Sequence, residues 1–412
     1  MTSVMPSGWK ESELSELGKC IRGVSYNPEV DLRERDSADS VRLLRSNNVQ
    51  DGTLDLTSLQ FVSKVRVSPQ QNMSSGDILI CMANGSKQLV GKAARFEIRR
   101  EHPYTFGAFM GIFRPFDKTD SDFIYFLMQS KEYRTYLDIA LSGSSINNLR
   151  PSNILEMVFV IPEQDERKRI SNALVDLDLL VRELDKLIAK KREIKQGAMQ
   201  QLLTGKTRLP GFSGEWKEVT LGDIGNFRGG TGFPLRFQGK TLGELPFYKV
   251  SDMNNPGNEI YMRKANNYIE RSRLQSLGAK SFSKGSIVFA KVGAAVFLER
   301  KRLLSADSCL DNNMAGFTLQ APDIDQAFIY HWFQQFRLSD LVAATALPSI
   351  NNQQLRKISC QLPTLIREQQ VIAEILSDMD AEIDALIARR DKTALIKTGM
   401  MQELLTGRTR LL

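Results

Sequence analysis

The sequence of 412 residues is poor in the side chains that most enzymes use for chemistry. It contains two histidines, His102 and His331, and four cysteines that lie far apart without a C-x-x-C pair. Widely spaced cysteines in a long chain are expected to be reduced thiols, and a Cys/His zinc site would need distant residues to converge. We therefore expect no metal site in this chain.

The sequence also lacks membrane, signal and cofactor motifs. No apolar run approaches the roughly 18 residues that cross a bilayer, and residues 1–9 lack a basic-then-apolar signal pattern, which predicts a cytoplasmic protein. No G-x-G-x-x-G motif follows a predicted strand, and the absence of Pro-Pro excludes the Asn/Asp-Pro-Pro-aromatic motif of an adenine methyltransferase. We expect no catalysis, and an enzyme with an unfamiliar site is left as an alternative.

The charge balance is mildly basic. Lysine and arginine number 55 against 48 acidic residues, a net charge of +7, which suits a polyanionic partner without requiring one. Residues 1–160 carry 19 basic and 19 acidic residues, whereas residues 210–363 carry 18 and 13. A nucleic-acid surface in the first half must therefore be a local patch.

The strongest signal is an internal repeat, which dominates any interpretation of the chain. Residues 166–209 align with residues 368–411 at a constant offset of 202, and 19 of the 44 positions are identical. The preceding globular segments repeat more weakly, for example at Trp9-Lys-Glu and Trp216-Lys-Glu. The predicted order is therefore globule, helix, globule, helix.

These segments define four regions and a fold class. We predict globular domains at 1–161 and 210–362, and coiled-coil helices at 162–209 and 363–412. Short apolar runs, such as residues 77–81 and 286–290, predict buried strands, and spaced aromatics predict helices. The predicted fold is α/β, with two similar globular domains joined by two long antiparallel helices in a pseudo-two-fold internal repeat.

The repeated helices have an a/d heptad seam, which requires a partner helix. The seam residues are Ile170, Leu174, Leu177, Val181, Leu184, Ile188, Ile372, Leu376, Met379, Ile383 and Leu386. Pairing within the chain is favoured over pairing with another chain. Gly205 and Gly407 are expected at the C-terminal caps, and Gly197 and Gly399 predict either mild weakening of the helix or a close backbone contact or bend.

Basic residues follow the same predicted strand in both halves and suit phosphate contacts, with arginine also able to bind guanine edges. A solvated charged loop is the alternative. The candidate DNA-binding residues are Lys87, Lys92, Arg95, Arg99, Arg100, Arg236, Lys240, Lys291, Arg300, Lys301 and Arg302. The repeated pairs Asn147-Asn148 and Asn351-Asn352 could contact adenine. Because residues that read different sequences should differ between halves, we favour turn or capping roles for them.

The repeated segments Met199-Gln-Gln-Leu-Leu-Thr-Gly-Lys206 and Leu404-Leu-Thr-Gly-Arg408, with the starts at Trp9 and Trp216, closely resemble the specificity subunit of Type I restriction-modification systems. The resemblance implies two target-recognition domains, each reading one half of a split site in double-stranded DNA. It also implies that the helices act as a spacer and dock two methyltransferase subunits, and that two motor-nuclease subunits complete the enzyme. S-adenosylmethionine, ATP and magnesium are expected on those partners, with no cofactor and no catalysis in this chain. The alternative is a coiled-coil scaffold that does not contact DNA.

Overall fold

A computed structural model of the chain describes residues 5–97, 102–142, 147–342 and 348–412. Its contacts divide the chain into two compact units, the first formed by Met1–Asp185 with Ala388–Leu412 and the second by Lys186–Ile387. Each unit therefore combines one globular part with segments of both long helices. The predicted mixture of helices and sheets is confirmed, and its strands pair mainly in antiparallel fashion.

In the described part of the first unit, twelve short strands and five short helices precede the first long helix. The strands are β1 (Trp9–Glu13), β2 (Gly18–Arg22), β3 (Leu32–Arg33), β4 (Ser40–Leu44), β5 (Val49–Gln50), β6 (Thr53–Leu54), β7 (Gln60–Ser63), β8 (Ile78–Cys81), β9 (Ala93–Arg95), β10 (Tyr104–Phe106), β11 (Met110–Pro115) and β12 (Val158–Pro162). The helices are α1 (Leu14–Leu17), α2 (Pro28–Asp31), α3 (Ser121–Leu127), α4 (Lys131–Ala140) and α5 (Pro151–Leu155).

The second unit begins within the first long helix. The long helix α6 (Gln164–Leu202) contributes its part from Lys186 onward. The strands that follow are β13 (Trp216–Thr220), β14 (Gly225–Gly229), β15 (Leu245–Tyr248), β16 (Tyr261–Met262), β17 (Tyr268–Ile269), β18 (Ile287–Ala290), β19 (Lys301–Leu304), β20 (Cys309–Leu310), β21 (Met314–Leu319) and β22 (Ser359–Pro363). The helices are α7 (Leu221–Ile224), α8 (Arg273–Leu277), α9 (Gln326–Gln335), α10 (Asn352–Arg356) and α11 (Ile366–Leu404).

The sheets of the two units have the same strand order. The main sheet runs β2-β11-β8-β9 in the first unit, and β14-β21-β18-β19 with β16 added in the second. A second sheet pairs β10 with β4 in parallel in the first unit and β20 with β15 in parallel in the second. The internal repeat therefore extends to topology, although the globular sequences have diverged.

The central strands of the main sheets are the apolar runs that the sequence predicts. All four side chains of β8 are buried, as are all four of β18, because each strand lies between two neighbours with both faces covered. Phe113 and Phe123 lie in the core of the first unit, and Phe317 and Phe328 lie in that of the second.

The two long helices have equivalent limits, since each is 39 residues long and their starts differ by the repeat offset of 202. Pro162 and Pro363 end the strands that precede them. In the first unit Ile170 and Leu174 of α6 share a core with Leu404 at the end of α11. In the second, Leu202 of α6 shares a core with the early part of α11. Within each unit the two helices therefore pack antiparallel.

Candidate nucleic-acid interface

The basic cluster predicted after β8 lies largely inside the fold. Arg95 has a side chain only 11% exposed, which pairs with Glu97 at 2.5 Å and with Asp122. Burial lowers the pKa of Arg95. Lys92 is half-buried, and its Nζ donates to the carbonyl oxygen of Val49 at 2.8 Å. Arg95 is withdrawn as a phosphate contact, because its guanidinium is largely buried and pairs with two carboxylates. Lys92 makes one hydrogen bond from a half-buried side chain, so it stays a predicted contact.

The remaining members of this cluster are Lys87, Arg99 and Arg100. Lys87 is half-buried, and its Nζ lies 3.5 Å from the carbonyl oxygen of Asp138. Arg99 and Arg100 lie outside the described residues. The Lys87 ammonium group still has N–H groups that could donate hydrogen bonds to a phosphate, so Lys87 remains a candidate DNA contact.

The equivalent cluster in the second unit also needs correction. Lys301 is 1% exposed, and its Nζ donates to the Glu299 carboxylate at 2.8 Å and to the Phe336 carbonyl oxygen at 2.6 Å. Burial, which would raise the pKa of Glu299, is outweighed by hydrogen bonds from Lys301 and two backbone amides, so that this pKa falls to about 2. Lys301 is therefore a structural cation that anchors β19 and is withdrawn as a DNA contact.

The remaining predicted cations of the second unit differ in how far their side chains are exposed to a DNA phosphate. Arg302 is half-buried, its Nη1 donates to the carbonyl oxygen of Lys301 at 3.0 Å, and burial lowers its pKa. It stays a predicted DNA contact. The half-buried Arg300 pairs with the side chain of Asn254. Arg236 and Lys240 are exposed, and the Arg236 guanidinium lies 4.9 Å from the ring centre of Phe237. Arg236 and Lys240 are thus the most accessible of the predicted cations that the structure describes.

The backbone of Lys291 contacts a turn that the charge pattern did not identify. Its backbone nitrogen donates to the carbonyl oxygen of Asn313 at 2.9 Å, and in the first unit Met82 donates in the same way to Phe109 at 2.9 Å. Both bonds join the end of a central strand to the turn before β21 or β11. We call these turns, Gly107–Met110 and Asp311–Met314, the repeated turns.

The repeated turns lie at an edge of each unit where several loops meet. In the first unit Ala83 bridges Asn148, and in the second Val292 bridges Ser349. Gly23 and Gly230 pack directly against the turns, since a Cβ there would lie 2.0 Å from the carbonyl oxygen of Gly107 or Asp311. Only glycine allows this approach. We call this region the loop edge, formed by residues 23–24, 83–84, 107–109 and 147–148 in the first unit and by 230–231, 292–293, 311–313 and 348–349 in the second.

In the first unit the loop edge borders an open groove of about 1070 Å³. Its lining is mainly apolar with several amide side chains and little charge, and the exposed Phe109 stands at its wall. The lining residues are Tyr26, Pro28, Arg45, Ser46, Asn47, Ala83, Asn84, Gly85, Gly107, Ala108, Phe109, Met110 and Asn147. Amide side chains and an exposed aromatic ring are groups that contact base edges.

The repeated asparagines mainly hold the framework. Asn351 caps α10, because its side-chain oxygen accepts from the backbone nitrogen of Gln353 at 2.8 Å. In the first unit the side-chain nitrogen of Asn147 donates to the carbonyl oxygen of Gly85 at 3.2 Å. These bonds are of the turn and capping kind that the repeat itself suggests.

The end of α11 is fastened to the first unit by a cluster that the sequence analysis did not identify. Past Gly407, whose φ is 71°, Arg410 donates to both carboxylate oxygens of Glu166 at 2.7 Å. The Arg410 guanidinium lies 5.8 Å from the ring centre of Trp9, whose Nε1 donates to Glu166 at 3.2 Å. These hydrogen bonds, with that from Arg410 the largest effect, lower the pKa of Glu166.

The second unit contains a similar cluster at the equivalent positions, without the tryptophan hydrogen bond, since Trp216 Nε1 has no partner among the described residues. Arg208 follows Gly205 and donates to both carboxylate oxygens of Glu368 at 2.8 and 2.9 Å, and it lies 5.9 Å from the ring centre of Trp216. We call Trp9–Arg410–Glu166 and Trp216–Arg208–Glu368 the first and second clamps. The sequence signal was present, because all three residues of each clamp are repeated.

The predicted seam residues lie on the two long helices, and the side chain of each is buried or half-buried. An ion pair flanks the seam at repeated positions, with Lys397 on Asp178 in the first unit and Lys195 on Asp380 at 2.5 Å in the second. Gly197 and Gly399 make no close contact, since a Cβ at either would meet no atom within 4 Å. The alternative of a close backbone contact is therefore wrong, mild weakening of the helix remains, and the helix continues through both positions.

The described residues offer little for catalysis. His331 is buried, with Nε2 3.0 Å from Ser377 Oγ, but its Nδ1 lies 4.0 Å from Asp380, too far for a hydrogen bond. Burial lowers the pKa of His331 to about 4. Within the described ranges no group of three His, Cys, Asp or Glu side chains could hold a metal ion, and no helix there is long and apolar enough to cross a membrane.

Sequence comparisons point to one family. Residues 213–394 match the model described as Type I restriction modification DNA specificity domain. The EcoKI specificity subunit of Escherichia coli and the StySPI specificity subunit of Salmonella potsdam are 35% and 34% identical over 192 residues, 47% of this chain. The chain covers about 40% of the length of these two relatives. A putative MjaX specificity subunit from Methanocaldococcus jannaschii is 22% identical over 98% of this chain and 95% of its own.

Solved structures share the fold. The S subunit of a Type I restriction-modification system from M. genitalium superposes with a TM-score of 0.61 at 14% identity, covering 98% of this chain and 97% of its own. A chain from a study of complex assembly and conformational transition of the type I R-M system gives 0.57 at 15%, covering 98% of both chains. The fold of the whole chain is therefore one already seen in experimental structures.

Proposed function

Because its similarity to the specificity subunits of Type I restriction-modification systems is confirmed, we propose that this chain directs such a system to its DNA sequence. Each globular part reads one half of a bipartite site in double-stranded DNA. The paired helices set the number of base pairs between the halves and dock two methyltransferase subunits. Two motor-nuclease subunits complete the enzyme, and S-adenosylmethionine, ATP and magnesium are bound by the partners.

The observation that carries this proposal is the repeat of one framework in two units, together with the specificity-domain match over residues 213–394. Two copies of one scaffold suit two half-sites, because a shared backbone can present different side chains to different bases. Strand order, loop bridges and close glycine contacts are repeated, whereas exposed side chains at the loop edge differ.

Docking of partner subunits is supported by apolar side chains on the outside of the long helices. Ile194 in the second unit and Ile396 in the first occupy equivalent positions, and both are exposed. Leu179 and Leu395 are also exposed. Burial of such apolar side chains under a partner lowers the free energy of the complex, which suits a subunit that takes part in assembly.

The test is reconstitution of the chain with its methyltransferase subunits, followed by sequencing of methylated genomic DNA. We expect one bipartite motif with a fixed number of unspecified base pairs. A complex that assembles normally but binds duplex DNA without sequence preference would favour the scaffold function. Activity that survives rigorous removal of partner subunits would favour an enzyme.

The exposed cations provide a sharper test of DNA contact. Charge reversal at Arg236 or Lys240 should weaken binding to all duplexes equally and lower the slope of log affinity against log salt by about 0.9 for each phosphate that is no longer neutralised. The methylated motif should not change. Arg337→Glu is the matched control, since Arg337 is also exposed in the second unit and only pairs locally with Asp340. An equal effect in the control would refute a specific role for Arg236 and Lys240.

A further inference from the structure

The repeated turns have the same backbone framework in both units. Gly23 donates to the carbonyl oxygen of Met110 at 3.0 Å, and Gly230 donates to that of Met314 at 2.9 Å. The turn backbones also accept the equivalent bonds from Met82 and Lys291 described above. Neighbouring loops therefore hold both turns in one conformation.

The side chains that this shared framework presents are different. The two central positions are Ala108 and Phe109 in the first unit, and Asn312 and Asn313 in the second, and all four are exposed. Phe109 is 71% exposed, although burial of a phenylalanine side chain contributes to stability. A fixed backbone with variable, exposed side chains is expected where each copy reads a different base sequence.

We propose that the repeated turns are base-reading elements of the two units. This inference rests on the proposed function and assigns that function to particular residues. Phe109 makes an apolar contact with a thymine methyl group in the half-site read by the first unit. The amide of Asn312 binds an adenine edge in the other half-site, the pairing that asparagine favours in the major groove. The side chain of Asn313 hydrogen-bonds Asp311 and supports the turn beside it.

The groove beside the first turn is consistent with duplex DNA as the occupant. Asn47 and Asn84 line it with amide groups, and Arg45 supplies a cation at its wall. Phosphate contacts by cations place a duplex, whereas amide and apolar groups distinguish bases. The groove therefore combines both kinds of contact around Phe109.

The chain offers a matched control on the same strand. Phe116 follows the C-terminal end of β11, whereas Phe109 precedes its N-terminal end. Phe116 is 68% exposed, so Phe116→Ala removes the same exposed ring outside the loop edge. The double variant Asn312→Ala/Asn313→Ala tests the other turn, because it alters only the second unit.

The experiment measures methylation of a randomised DNA library by complexes reconstituted with each variant. Phe109→Ala should lower the rate on the wild-type motif by about five- to a hundredfold and relax the preference at one thymine position of one half-site. The asparagine double variant should relax an adenine position in the other half-site. Phe109→Asn should shift the preference at the first position from thymine towards adenine. Phe116→Ala should retain the wild-type motif and rate.

The outcomes separate this inference from the proposed function. If the wild-type complex methylates no bipartite motif, the proposed function fails. If the wild-type motif is bipartite but Phe109→Ala behaves like Phe116→Ala, the turn assignment is overturned. The assignment is also overturned if both turns affect the same half-site, or if Phe109→Asn leaves the base preference unchanged.

Discussion

The first clamp predicts that Arg410, near the end of the sequence, stabilises strand β1 and the start of α6. Arg410 donates two charge-assisted hydrogen bonds to Glu166 and covers the Trp9 ring. Substitution by methionine keeps most of the apolar side chain but removes the guanidinium. The Glu166 carboxylate, in a residue only 4% exposed, then keeps only the bonds from Leu411 and Trp9.

The expected cost follows from these contacts. A hydrogen bond to a charged group contributes about 1.5–3 kcal/mol net, and removal of one partner of a buried ion pair costs about 3–5 kcal/mol. Because Arg410 is itself partly exposed, we place the cost of Arg410→Met at about 3 kcal/mol. Since each 1.4 kcal/mol is tenfold in an equilibrium constant, local opening should become roughly 100-fold more frequent.

Hydrogen exchange of the amides in β1 and the last turns of α11 measures this opening. Arg408→Met is the matched control, because Arg408 is exposed and its pair with Glu403 spans 3.6 Å, so its loss should cost less than about 0.5 kcal/mol. A double-mutant cycle with Glu166→Gln should give a coupling above about 1 kcal/mol. Equal protection in the Arg410 and Arg408 variants would refute the clamp.

The clamp also has a pH signature. Its carboxylate pKa is lowered in the folded protein, so its contribution is present above the unfolded value of about 4.3 and is lost as pH falls through the folded value. The wild-type protein should therefore lose more protection on acidification than Arg410→Met. An identical pH dependence in the two proteins would contradict the assigned ion pair.

Two further predictions concern the seam and a buried cation. Leu184→Asp should lower the free energy of unfolding by about 3 kcal/mol or more and weaken methyltransferase assembly. Leu386→Asp, at the equivalent but half-buried position, should lower it by less. Equal losses of stability in urea unfolding would contradict this difference in burial. Glu299→Gln should cost about 3 kcal/mol, because Lys301 would be left buried without its charged partner. Since the pKa of Glu299 is about 2, its contribution should be lost only as pH falls from about 4.3 towards 2, and loss near neutral pH would refute this pairing.

Periodicity and repetition are enough to predict much of this fold. The heptad spacing predicts both long helices and a partner helix for each, and the constant offset of 202 predicts their equivalent limits. Apolar runs such as Ile78–Cys81 predict central strands because both faces of these strands are covered. These features are set by the spacing of residues along the chain, so they can be predicted from a single sequence.

The site is harder to predict because its side chains depend on distant partners. Arg95 and Lys301 look like surface cations in sequence, yet Asp122 and the carbonyl oxygen of Phe336 satisfy them inside the fold. Phe109 looks like a core aromatic in sequence, yet it stands exposed on a turn. The matching backbone hydrogen bonds from Met82 and Lys291 show that Asn313 occupies the equivalent position.

The proposed function depends above all on two copies of one framework reading two separate half-sites. The methylated motif produced by the chain reconstituted with its methyltransferase subunits, determined by sequencing modified bases across a genome, measures this directly. We predict two short specified blocks separated by a constant number of unspecified base pairs. A single continuous motif, or methylation without sequence preference, would contradict this division of the site.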